Sequence, residues 1–328
     1  MGNISAHSAP NPPMDVPLSP PIIPPKDESK GSLSKGSNNN GIQNPGTMED
    51  LHKQCTDVFP MVFEGGKFLL NKALSNHFQV SHTVNFSTVQ PPGYRFGATY
   101  LGDQVSPTEV YPILVGDIDP SGNLNANIIH QLSPNIRTKF VAQIDGGKWQ
   151  ATQLTTDYKG RTSTSSLTLG NIDVLNGTGL AVAHYLQQVT AKVALGSELA
   201  YQYGPQIPGG QIALHSIAAR YSGSNFTATG TLGGAGLHLC YHQKCSENLQ
   251  IATELETSLR MQESVATSGF QVEIPKANCT FRGKIDSNGT VGAVMEKKLT
   301  PLPFCLTLSA MHNHPKNKFK LGVGFSIG

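Results

Sequence analysis

The sequence predicts an all-β membrane barrel, and three observations carry that expectation. In the closing stretch Phe319, Leu321, Val323, Phe325 and Ile327 alternate with Lys318, Lys320, Gly322, Gly324 and Ser326. That is the period of a β-strand with one apolar face. Next, no window approaches ~18 consecutive apolar residues, which excludes a transmembrane helix. Third, charged residues make up only 14% of the chain, against the ~25% usual for a soluble domain, so much of the exterior should lie out of water. Roughly ten residues of alternation is the length a tilted strand needs to cross a bilayer. A last strand of this kind suits a barrel that must seal its final edge.

The remaining bulk properties narrow the class. A chain of 328 residues with 38% apolar content fits either a soluble protein or a barrel whose alternate side chains face lipid. Net charge of +2 argues against nucleic acid as the main partner. Five cysteines, an odd number at irregular spacing, do not read as a disulfide framework. The Pro-rich start lacks the apolar core of a secretory leader. Met1-Gly2-Asn3-Ile4-Ser5-Ala6 approaches a myristoylation pattern but places Ala6 where Ser or Thr is required.

In chain order, residues 1–46 combine a Pro cluster with a Gly/Ser/Asn run, too little apolar surface to offset the entropy of ordering. A disordered tail is expected there. Residues 47–73 are expected to be helical. Thr47-Met48-Glu49-Asp50 has capping-box spacing, and Leu51, Cys55, Val58 and Phe59 fall on one helical face. Pro60 stops or kinks that helix, and Met61 to Ala73 reads as a second short helical piece. Whether the helix lies in a pore or packs on a sheet is open at this point.

From residues 74–75 onward the period is two. Phe78, Val80, Val84 and Phe86 alternate with Gln79, Ser81 and Asn85. Similar runs surround Ile136–Ile144, Val193–Tyr201, Leu249–Leu255, Phe281–Ile285 and Phe304–Ala310. Pro91-Pro92-Gly93, Asp119-Pro120-Ser121-Gly122, Gly204-Pro205 and Ser287-Asn288-Gly289 are turn signals between them. At ~13 residues per strand and turn, 74–328 holds between about eighteen and twenty strands. So many strands without crossover helices make a meander. A soluble sandwich would need linkers, and a propeller would need a repeat; neither is visible.

Several strings in this frame are similar to a known family. Asn44-Pro45-Gly46-Thr47-Met48-Glu49 leads into the helix, and Leu74 to Val80 opens the alternating region. Ser106-Pro107-Thr108-Glu109, Leu180 to Leu186, Pro275-Lys276-Ala277-Asn278 and Glu296 to Gly328 follow in order. Together they resemble the channel-forming subunits of the TOM complex, the protein translocase of the mitochondrial outer membrane, in animals. The resemblance spans about 44–328. It implies nineteen strands with the first and last parallel, an N-terminal helix within the pore, and passage of unfolded precursor proteins from the cytosol. Implied partners are presequences, a receptor subunit, small helical subunits, a second barrel subunit and the sorting machinery that inserts barrels into the bilayer. An anion-channel-like metabolite pore of the same barrel superfamily is the alternative.

A translocation pore needs weak, repeated attraction for a passing chain and no nucleophile. Catalytic residues and cofactors are not expected. Presequences are basic amphipathic helices, so acidic lumen positions should attract them. Strand phase assigns Glu198, Glu254, Glu256 and Glu273 to the non-lipid face, where they either receive presequences or neutralise Arg137, Lys139, Arg220 or Lys284. Lys320, Gly322, Phe325 and Ile327 fit the family's insertion signal, an edge read by strand addition. His238, Cys240 and His242, with Cys245 nearby, suggest a metal site. Strand positions four apart lie ~13 Å from each other, too far for one ion, so no metal is expected. The Gly233-Gly234-Ala235-Gly236 run lacks the Lys-Ser/Thr of a phosphate loop.

Overall fold

The computed structural model describes residues 44–328 apart from 88–92, 107–108, 174–176, 206, 208, 235 and 260. These belong to one compact unit, Asn38–Gly328. The Pro-rich segment up to residue 43, the Met1–Ala6 motif, Pro91-Pro92 and Pro107-Thr108 lie outside the described residues.

Among the described residues nineteen strands form one sheet. They are β1 (Gly65–Ala73), β2 (Phe78–Phe86), β3 (Gly93–Ser106), β4 (Glu109–Ile118), β5 (Leu124–Ser133), β6 (Ile136–Asp145) and β7 (Lys148–Lys159). There follow β8 (Ser163–Asp173), β9 (Thr178–Gln188), β10 (Val193–Tyr203), β11 (Gln211–Ser222), β12 (Phe226–Gly233) and β13 (Gly236–Lys244). The last six are β14 (Leu249–Ser258), β15 (Glu263–Ile274), β16 (Cys279–Asp286), β17 (Thr290–Lys298), β18 (Phe304–Asn313) and β19 (Lys318–Ile327). Each strand is antiparallel to its sequence neighbours, and β1 also pairs in parallel with β19, from Gly65 opposite Gly322 to Leu70 opposite Ile327. Direction reverses at every hairpin, so an odd count brings the first and last strands together pointing the same way. The sheet is thereby closed and has no free edge.

The two faces of this wall follow the alternation. In β10 Leu195, Leu199 and Tyr201 are exposed on the outside, while Ala194 is buried on the inside in phase with Glu198. In β14 Ile251 is exposed outward, and Ala252 beside it is fully buried inward. In β19 Phe319, Leu321 and Val323 face out, with Gly322 and Gly324 buried beneath the lumen contents. A continuous apolar exterior of this extent would aggregate in water and is at home in hydrocarbon.

Three expectations for the N-terminal third need correction. Met61 to Ala73 is not helical, because Gly65–Ala73 is strand β1, paired on both sides. The wall therefore begins at Gly65 rather than at 74, and the alternating run at Phe78 is the second strand. Its partners β2 and β19 supply the backbone bonds that decide the conformation of a locally ambiguous Lys67-Phe68-Leu69-Leu70. Residues 47–59 hold only one turn of α-helix, α1 (Lys53–Thr56), within a run of mostly i→i−3 turns. Asp50 lies before that helix, where it accepts the Thr47 hydroxyl at 2.6 Å rather than closing a capping box. Finally, the expected tail to residue 46 overlaps a fixed segment. Asn44 donates from Nδ2 to the carbonyls of Gly160 and Ser163, 2.7 and 3.1 Å away, and Pro45 is buried.

Residues 44–64 form a strap along the inner wall. Met48 and Leu51 pack with Leu186, Ala194 and Ala218, and Cys55 and Val58 pack with Cys240 and Ala252. The face expected from Leu51, Cys55, Val58 and Phe59 is thus buried against barrel strands; full burial of Leu51 or Val58 is worth about 1.5–3 kcal/mol each. Arg220 Nη2 holds the Pro45 carbonyl at 2.7 Å, and the Phe63 N–H donates to Ser309 Oγ at 3.0 Å. Asn44 sits at the β7–β8 turn, whereas Gly65 starts β1 at the opposite rim. The strap therefore traverses the depth of the barrel.

The wall makes room for it with inward glycines. A methyl group added at Gly269 would lie 2.5 Å from Phe59 Cδ1, and one at Gly322 would lie 2.7 Å from Phe63 Cδ2 and closer still to the Phe63 carbonyl oxygen. Gly322→Ala is expected to lower unfolding stability in detergent by about 1–3 kcal/mol, the usual cost of overpacking. Heat-modified gel migration of the refolded barrel measures this, and a loss under ~0.5 kcal/mol would mean that Gly322 is not there to make space.

The turn signals among the described residues close hairpins. In the β4–β5 turn Asp119 accepts the N–H groups of Ser121 and Asn123 at 2.9 and 3.0 Å. Those bonds, that of Asn123 foremost, hold its carboxyl below the usual range. Gly233 and Gly236 flank the β12–β13 turn and meet Ser216 and the Thr257 carbonyl, a close approach of strands rather than a phosphate loop.

Candidate functional site in the barrel lumen

Four acidic side chains were expected to face inward, and the wall places all four in the inward phase. Glu198 (β10) stands opposite His184 (β9), with His184 Nε2 and Glu198 Oε2 3.1 Å apart. Glu254 and Glu256 (β14) sit opposite Cys240 and His238 (β13) respectively. His238 Nε2 lies 2.5 Å from Glu254 Oε1 and 3.9 Å from Glu256 Oε1. Glu273 is near the end of β15 and accepts Gln271 Nε2 at 3.0 Å. The structure thus brings Glu254 and Glu256 together, places Glu198 four strands away, and puts Glu273 toward a rim.

Their partners differ from the cations named above. Arg137 instead reaches Asp157 of β7 with two N–H groups, at 3.1 and 2.7 Å. Arg220 holds the strap, and Arg95 pairs with Asp117 at 3.2 Å. The two well-engaged glutamates are matched by histidines, and Glu256 is left open to the lumen with its side chain 68% exposed. Cross-strand register determines these pairings, and a single strand's pattern contains no register.

The residues of the insertion pattern divide between the faces. Lys320 points inward and pairs with Glu64 of the strap at 3.5 Å, and Gly322 lies beneath Phe63. Phe325 stacks on Phe68 and meets Phe304 at a tilt, with ring centroids 5.9 and 5.3 Å away, and Ile327 pairs with Leu70 and Phe304. Both apolar positions thus belong to the β18–β19–β1 seam.

A further cluster was missed from sequence. His238 and Cys240 point inward, but His242 turns to Gln250 at 3.1 Å and takes no part. The third member is His52 of the strap, whose ring lies 4.1 Å from that of His238, centroid to centroid. One donor atom from each of His52, His238 and Cys240 falls within 4.8 Å of the others.

A closed wall with an apolar exterior, a charged and histidine-bearing interior and a strap across the lumen defines a transmembrane β-barrel pore. Residues 44–322 match the eukaryotic porin family. The chain is 52% identical to mitochondrial import receptor subunit TOM40 homolog 2 of Drosophila melanogaster, over 88% of this chain and 85% of that one. It is 45% identical to the TOM40 homolog of Xenopus tropicalis over the full length of both. With the human TOM40 homolog it shares 49% identity over 88% of this chain and 79% of that one. The chain belongs to the eukaryotic porin family, in its branch of TOM40 homologues.

Proposed function

We propose that this chain is the protein-conducting channel of the mitochondrial outer membrane, passing unfolded precursor proteins inward from the cytosol as part of the TOM translocase. The observation that carries this reading is extended similarity to relatives named as mitochondrial import receptor subunits, across strap and wall together. An aqueous lumen with exposed acid groups is chemically suited to a basic presequence. Contacts of that kind are weak and screened, which lets a passing chain leave as readily as it enters.

Of the four glutamates, Glu256 and Glu273 carry the presequence contact, because Glu198 and Glu254 are engaged by His184 and His238. The partners in this reading are a receptor subunit, small helical subunits and a second barrel subunit, with the sorting machinery reading β19 before its β1-facing edge is closed. The polar Lys320 and the small Gly322 serve the strap in the finished barrel, so the same residues answer two demands in succession.

Planar-bilayer recording tests the channel reading. A basic amphipathic presequence peptide should block the open pore reversibly and lose potency with added salt. Glu256→Gln combined with Glu273→Gln should weaken the block about two- to fivefold, as expected for two exposed ion pairs. Indifference of the native pore to peptide would favour a metabolite channel. Unchanged block in the double variant would move the contact away from these two acids.

A further inference from the structure

The His52 cluster has the make-up of a metal centre, assembled from two parts of the chain that are distant in sequence. His52 Nδ1 lies 2.8 Å from Thr229 Oγ1 on β12. With Nδ1–H donating to that hydroxyl, the lone pair is left on Nε2. His52 Nε2 is buried and has no hydrogen-bond partner, a costly state for a polar atom. A ring nitrogen of His52 falls within 4.8 Å of donors of His238 and Cys240; His238 Nε2 is 3.3 Å from Cys240 Sγ, and Cys240 Sγ is 3.9 Å from Glu254 Oε1. Around a tetrahedral ion with bonds of ~2.0–2.3 Å, neighbouring ligand atoms lie roughly 3.3–3.8 Å apart. The His238–Cys240 and Cys240–Glu254 spacings already approach that value; the His238–Glu254 separation of 2.5 Å must widen, and the Glu254 carboxylate must turn toward His52 to join the other three donors.

We propose that His52, His238, Cys240 and Glu254 form a binding site for a zinc-like divalent ion that ties the strap to β13 and β14. Two imidazoles, one thiolate and one carboxylate suit a borderline-soft metal and not Mg²⁺ or Ca²⁺. Thr229 orients His52 from behind, as outer partners of metal-bound histidines do. The ion enters from the lumen, where the His238 side chain is 27% exposed. On binding, the Cys240 thiol gives its proton to lumen water and binds as thiolate. Within β13 alone, positions four apart are too distant to share one ion; the strap brings His52 to the two neighbouring donors His238 and Cys240 instead.

The test uses the full chain refolded in detergent and titrated with Co²⁺ as a spectroscopic stand-in for Zn²⁺. One equivalent should produce a thiolate-to-cobalt charge-transfer band that excess Zn²⁺ removes. Cys240→Ser should abolish the band, and His52→Ala should weaken binding at least about tenfold, with Thr229→Val weakening it by ~10-fold or more. Cys245→Ser and Cys55→Ser should leave the band in place. Gel migration of each variant as a heat-modifiable barrel excludes misfolding as the cause. Absence of the band in the native protein, its survival in Cys240→Ser, its loss in Cys55→Ser or unchanged affinity in His52→Ala would each overturn the assignment.

Discussion

Arg137→Ala should destabilise the barrel by about 3–5 kcal/mol, the cost of stripping one partner from a buried ion pair. Asp157 is the reason. Its side chain is only 6% exposed, and its Oδ2 receives both Arg137 N–H groups. Without the guanidinium a carboxylate remains with neither water nor counter-charge to stabilise it. Arg137→Lys keeps the charge but loses the two-pronged geometry, so a smaller loss is expected. Arg137→Ala with Asp157→Ala should recover most of the stability, since no buried charge is then left alone. Urea unfolding of the detergent-refolded barrel measures all three. A single-variant loss under ~0.5 kcal/mol would mean that water reaches Asp157.

The second large effect belongs to the outside of the wall. Leu199 is 48% exposed near the middle of β10, and Glu198 beside it faces the lumen. Leu199→Lys should cost about 2–4 kcal/mol in a bilayer, as for a cation on the lipid face near the midplane. Gln202→Lys, on the inward phase of the same strand, should stay within ~0.5 kcal/mol while lowering cation preference in single-channel recording. Equal effects at the two positions would mean that the faces of β10 have been assigned wrongly.

How much of this could be read from residues alone depends on which force acted locally. Lipid on one side and water on the other impose a period of two, so β10, β14, β16, β18 and β19 were plain. Strand β1 was hidden because Phe68, Leu69 and Leu70 are consecutive and apolar, and its pairing with Gly322 to Ile327 lies at the far end of the chain. The inward direction of Glu198 and Glu254 was legible; their histidine partners were not, because register is a property of two strands. His52 gave no signal, being one polar residue among Asp50, Lys53 and Gln54. Its meaning emerges only when the strap is laid against β13. Gly322 read as part of an insertion pattern, and nothing nearby in sequence announced the ring of Phe63 above it.

The nineteen-fold wall also decides on which side of the membrane each end of this fold emerges. An odd number of crossings would by itself leave Gly65 and Gly328 facing different compartments. The passage from Asn44 to Gly65 through the hole adds one more crossing, which restores even parity. Asn44 and Gly328 consequently open toward one and the same compartment, and a probe at either position samples the same aqueous phase.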